Sequence, residues 1–168
     1  MRGTHRTRGC AGDRAAPPAP LCWPLVSEAP LAPMTDIEIS TQPLLRAIGF
    51  DRLLHSEPQG VARVRFVPRP EFAHTEGTIV QGGFITAWLD NSMAFAVFAR
   101  EAGVGLASLE LKVSFLERVG VAPVEAEARV LRWGGSVVFL EASLFAEDGS
   151  VLARASSTGK LLRPRAPR

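Results

Sequence analysis

Residues 77–100, GTIVQGGFITAWLDNSMAFAVFAR, decide how the rest of the chain is arranged. The pair Gly82-Gly83 opens a run of about five helical turns. Within it Ile85, Ala87, Trp88, Leu89, Met93, Ala94, Phe95, Ala96, Val97 and Phe98 leave no face polar. A helix apolar on every side belongs inside a protein. Asp90, followed by Asn91 and Ser92, interrupts the run at its middle. A carboxylate among such neighbours is costly unless something pairs with it or uses it. It also keeps the run short of the ~18 apolar residues that a membrane span requires.

Downstream of this helix, Gly103 and Gly105 break the chain, and four strand patterns follow. Residues 108–116 alternate Leu109, Leu111, Val113 and Phe115 with Ser108, Glu110, Lys112 and Ser114, which puts Ser108 on the wet face. Residues 123–132 alternate in the same way. Trp133-Gly134-Gly135-Ser136 is a tight connection to a strand over 137–146. Glu147-Asp148-Gly149-Ser150 is a hairpin signal before a last strand over 151–162. Upstream, Thr41 and Pro43 suit the start of a short helix carrying Leu44, Leu45 and Ile48, closed by Gly49. Two strands over 51–56 and 61–67 flank the turn Glu57-Pro58-Gln59-Gly60. Short turns make antiparallel neighbours. With one buried helix to cover, the expected fold is α+β: a curved antiparallel sheet of five to six strands wrapped around the long helix. One such unit leaves a sheet edge open, and the 108–116 strand is suited to pairing across a two-fold axis.

Residues 1–33 are rich in Pro, Ala, Gly and Arg and have no apolar period. They lack the composition to offset their ordering entropy and read as a disordered extension or one translated from a misplaced start. Met34 suits a natural first residue, so the folded domain is expected to span 34–168. Of the net charge of +2, all comes from residues 1–33, and the remainder balances 15 basic against 15 acidic side chains. That balance offers no basic face for nucleic acid. Both cysteines, Cys10 and Cys22, also lie in the N-terminal stretch. The folded part therefore has no disulfide or thiolate metal site and is compatible with a reducing cytoplasm. His5, His55 and His74 show no metal-ligand spacing.

The pattern G-T-x-x-Q-G-G-F-x-x-A-x-L-D-x-x-M from Gly77, followed by S-L-E-L-K-V-S-F-L from Ser108, resembles the hot-dog-fold acyl-CoA thioesterases of the PaaI-like, phenylacetate-pathway family. The resemblance covers about residues 38–162. The family pattern is an Asn, a short gap, Gly, then His-Gly-Gly, with Asp nine residues after the His. Here Gln81-Gly82-Gly83 stands for His-Gly-Gly, and Asp90 has the matching spacing. His74 is nearest to the Asn position, and the segment Gly77–Gln81 is one residue longer than usual. Ser108 stands where many members have Ser or Thr facing the active site.

The resemblance implies hydrolysis of an acyl-CoA by a homodimer or homotetramer in the cytoplasm, with no cofactor and no metal. It implies that the carboxylate and the glycine amide acting together come from different subunits. Asp90 would be the base or nucleophile, and the Gly82 amide the oxyanion donor. A helix N-terminus with unblocked amides suits an oxygen gaining negative charge. Gly83 and Gly77 join as binding candidates, and Arg132, Gly134 and Gly135 either meet the CoA phosphates or form a plain hairpin. Gln81 either hydrogen-bonds the thioester carbonyl or caps the helix; His74 either orients water or is simply exposed. The absence of His at position 81, and Phe95 five residues after Asp90, disfavour the dehydratases and hydratases of this fold. A non-catalytic acyl-CoA-binding domain is the alternative.

Overall fold

Pro43 fills the first turn of helix α1 (Pro43–Ala47), where a missing N–H costs nothing. The N-cap is Gln42, not Thr41, which lies outside the residues that the computed structural model describes, 42–163. The expectations for residues 1–33 fall outside them as well. Gly49, at φ +76°, closes α1 and turns the chain into β1 (Phe50–Glu57), which pairs with β2 (Val61–Phe66) across the anticipated turn. The stretch expected to be loop before the central helix holds a short 3-10 turn, Pro70–Phe72, and a two-stranded ribbon, β3 (Ala73–His74) with β4 (Ile79–Val80). Helix α2 runs Gly82–Arg100. Strands β5 (Gly105–Phe115), β6 (Val124–Trp133), β7 (Val137–Ala146) and β8 (Val151–Leu162) complete the fold.

Six antiparallel strands form one sheet in the order β1-β2-β6-β7-β8-β5, and α2 contacts all six. This is the hot-dog arrangement. Period-two burial supplies the helix-facing layer: Ala62, Val64 and Phe66 from β2, Ala126 and Ala128 from β6, and Val138, Leu140, Ala142 and Leu144 from β7. Trp88 fills the centre. It is fully buried, stacks on Phe66 at 5.7 Å, and donates its indole N–H to the Ile48 carbonyl at 2.7 Å. One side chain thus ties α2 to the sheet and to the end of α1. Trp88→Ala is expected to cost about 3–5 kcal/mol, the range for emptying a large aromatic site, read as a lower urea midpoint with unchanged slope.

The convex face of the sheet is polar. Arg63 bonds Glu125 at 2.8 Å, and Arg65 reaches Glu147 at 3.1 Å and Asp51 at 3.6 Å. Strand β5 lies at the sheet edge and is largely open, with Leu109, Phe115 and Leu116 each more than half exposed. An apolar edge of this kind leaves backbone groups open to pairing with a further strand.

Two sequence readings need correction. Asp90 is half-buried, on a face of α2 where Ala87, Asn91 and Ala94 are likewise only partly covered. Ser108 is exposed, as expected, but on the helix-facing side of β5. The β5–β8 register slips between Ser108 and Glu110, where Leu109 is the extra residue. The bulge reverses the parity, so Ser108 shares the helix-facing side with Leu111 and Val113, which pack against the core.

Candidate active site

Asp90 and Ser108 meet because the bulge turns Ser108 inward just where α2 crosses β5. The Ser108 hydroxyl donates to Asp90 Oδ1 at 2.6 Å, a distance characteristic of a charge-assisted bond. Oδ2 has no hydrogen-bond partner among the described residues. Neighbouring polar groups on the helix are otherwise engaged: Asn91 donates to the Ala87 carbonyl and Ser92 to that of Trp88. The site carboxylate is therefore oriented by one hydroxyl and open on its other oxygen.

At the helix mouth, Gln81 is the N-cap. Its Oε1 accepts from the Gly83 N–H at 2.6 Å, which makes the cap reading of Gln81 the observed one in the free chain. The Gly82 N–H has no acceptor among the described residues. It is an orphan donor of the first helical turn, at the positive end of the dipole. Of the two glycine amides suggested by sequence, Gln81 thus occupies one and leaves the other open. A Cβ on Gly82 would sit 3.1 Å from Phe115 Cζ, so the glycine also allows a phenyl ring against the helix start. Phe115 went unnoticed in the sequence, because an apolar residue in an alternating strand reads as core.

His74 lies on β3 in the ribbon that leads into the helix. It is exposed, and its Nδ1 is 2.7 Å from Thr75 Oγ1. Thr75, Glu76 and Gly77 follow with φ of 53°, 58° and 78°. Gly77 therefore serves a left-handed turn. Left-handed backbone costs roughly 1–2 kcal/mol for a residue with Cβ, whereas glycine adds roughly 0.5–1 kcal/mol of unfolded-state entropy. Glu76→Gly should therefore raise stability by roughly 0.5–1 kcal/mol in chemical denaturation.

The structure does not bring Arg132, Gly134 and Gly135 to Asp90. Arg132 lies near the end of β6, and Gly134 and Gly135 form the turn to β7, at the C-terminal end of α2. Gly134 N–H bonds the Val137 carbonyl, and the Gly135 carbonyl accepts from Arg163. Arg163 also grips Glu101 with two bonds of 2.9 and 3.0 Å, which hold the Glu101 carboxyl below its usual range. The guanidinium groups of Arg100 and Arg163 both approach the Trp133 ring, at 5.2 and 5.9 Å from its centroid. The turn is a clasp closing that end of the sheet. No cluster of three His, Cys, Asp or Glu side chains fit for a metal occurs among the described residues.

The sequence pattern of the Thioesterase superfamily matches residues 77–153, which hold Gly82, Asp90 and Ser108. A candidate esterase of Saccharolobus solfataricus is 30% identical over 105 residues, 62% of this chain and 74% of that protein. Among solved structures, a candidate thioesterase from Ralstonia eutropha that is related to phenylacetic acid degradation is 28% identical. Its TM-score is 0.64, over 71% of this chain and 90% of that one. The phenylacetic acid degradation protein PaaI of Thermus thermophilus is 25% identical, with a TM-score of 0.62, over 71% and 98% of the respective chains. The Gly-Gly helix with its aspartate lies inside the matched span and on the same fold, and this chain belongs to the Thioesterase superfamily, as a PaaI-like hot-dog member.

Proposed function

We propose that the protein hydrolyses an acyl-CoA thioester to the free acid and CoA. Family membership supports thioester hydrolysis in general. The observation that carries the finer reading is the Asp90 carboxylate, oriented by Ser108 at 2.6 Å and free on its second oxygen. In this reading Asp90 takes a proton from water as the water attacks the thioester carbonyl. The carbonyl oxygen becomes an oxyanion and receives the Gly82 N–H. Collapse breaks the C–S bond, and the thiolate leaves and takes up a proton. Direct attack by Asp90 on the carbonyl is the variant of the same scheme.

Geometry argues that one chain cannot hold the whole site. Gly82 and Asp90 are eight residues apart on one helix, about 12 Å along its axis. The Gly82 N–H points toward the helix N-terminus, away from Asp90. A carbonyl group needs both within about 3 Å. A homodimer or homotetramer that sets the helix of one copy against that of another supplies the missing half. The open β5 edge is the surface suited to it. Gln81 is assigned to the cap that holds the mouth in shape, and Gly83 is its anchor. His74 and Gly77 belong to the loop beside the mouth. The β6–β7 turn, with the exposed Arg132, remains the candidate for the CoA phosphates. No helix of the described residues is long and apolar enough to cross a membrane, and the cysteine-free domain suits the cytoplasm. The test is release of free thiol from a panel of short, medium and aryl acyl-CoAs; an enzyme silent on the whole panel would refute the reading.

A further inference from the structure

We infer that Phe115 sets the bulk tolerated at the carbon next to the thioester carbonyl, making it a specificity-determining residue. The inference rests on the reading of Gly82 as oxyanion donor. Phe115 ends β5, more than half exposed, with Ala153 of β8 as its register partner. A Cβ built on Gly82 would meet Phe115 Cζ at 3.1 Å, Cε1 at 3.3 Å and Cε2 at 3.7 Å. No side chain stands between ring and glycine. An oxygen hydrogen-bonded to the Gly82 N–H places its carbonyl carbon, and the acyl carbon beyond it, one or two bonds from that contact. A ring at this distance borders the α-carbon, not the tail of the acyl group.

The helix-facing side of β5 thus serves both halves of the site. Ser108, near the start of the strand, orients Asp90, and Phe115, at its end, borders Gly82 of the same helix. When the halves from two copies combine, the Phe115 that faces the substrate comes from the copy donating the amide. The Ser108 that faces it comes from the copy donating the carboxylate.

The experiment compares kcat/KM for butyryl-CoA and isobutyryl-CoA, which differ in branching at the α-carbon. Hexanoyl-CoA and octanoyl-CoA, which differ only at the far end, serve as the control pair. In Phe115→Ala the isobutyryl-to-butyryl ratio should rise about tenfold or more, the scale set by one methyl group in a fitted site. Phe115→Trp should lower it, and the hexanoyl-to-octanoyl ratio should stay put in both. Thermal melts accompany each variant, and if Phe115→Ala does not fold, Phe115→Trp carries the decision. Unchanged ratios, or equal shifts in the control pair, would overturn the role of Phe115 while leaving the hydrolase reading intact. A wild-type protein that turns over none of the four esters and no aryl acyl-CoA would overturn both.

Discussion

Asp90→Asn is expected to lower kcat for acyl-CoA hydrolysis by at least ~10²-fold, the scale of losing a positioned acid–base group. The amide is nearly isosteric with the carboxylate, and its oxygen can still accept from the Ser108 hydroxyl now held at 2.6 Å from Oδ1. Local geometry and stability should therefore change little. What disappears is the proton acceptor and the negative charge. Because the residue is half-buried and not in the core, removing its charge opens no cavity and strands no partner. The two readings of Asp90 separate cleanly. A structural carboxylate would give a shifted unfolding midpoint with normal turnover; a catalytic one gives a normal midpoint and lost turnover. A parallel measurement of KM for the same ester keeps binding and chemistry apart, and a variant of undiminished kcat would end the catalytic reading.

The fold was legible because the signals were redundant. Apolar periodicity, Gly49, the turn at Glu57–Gly60 and the hairpin at Glu147–Ser150 each marked a boundary, and the strands observed at Val137–Ala146 and Val151–Leu162 coincide with those expected. Tertiary packing had no reason to override choices on which propensity, pattern and turn chemistry agreed. Asp90 was legible for the opposite reason. It contradicted the apolar pattern around it, and that contradiction marked it as a candidate.

Ser108 was placed on the wrong face because a bulge leaves no trace in an alternating pattern. The sequence 108–116 alternates without a break, yet Leu109 is the unpaired residue, and one unpaired residue reverses everything on one side of it. The same event brings Ser108 to the Asp90 carboxylate, so the contact hidden from the sequence is the one the bulge creates. The role of Gln81 was hidden differently. A Gln before a helix can cap it or reach the thioester carbonyl, and the 2.6 Å contact to the Gly83 N–H shows the cap formed in the free chain. Phe115 was invisible because its significance lies in a contact with a glycine some thirty residues away, which no local pattern encodes.

Gly82→Pro should abolish most activity without unfolding the helix, because proline at that position deletes the donor and little else. Gly82 is the first helical residue, where proline is favoured and its missing N–H breaks no intrahelical bond. The preceding residue must be extended, and Gln81 already is, at φ −67° and ψ 135°. Phe115 must shift by a few tenths of an ångström from its 3.1 Å approach, which a half-exposed ring can do. Losing one oxyanion donor costs on the order of 10²–10³-fold in kcat. If Gly82 and Asp90 of one chain served the same substrate, mixing Gly82→Pro with Asp90→Asn protein would leave every site damaged. With the halves on different copies, a mixed dimer has one site with both residues intact. Random reassortment puts half the chains in such dimers, so activity should return to about a quarter of wild type. Mixing under conditions that exchange subunits, with unmixed variants as controls, gives that recovery or its absence. A mixture as inactive as its components would show that the two groups do not act across copies.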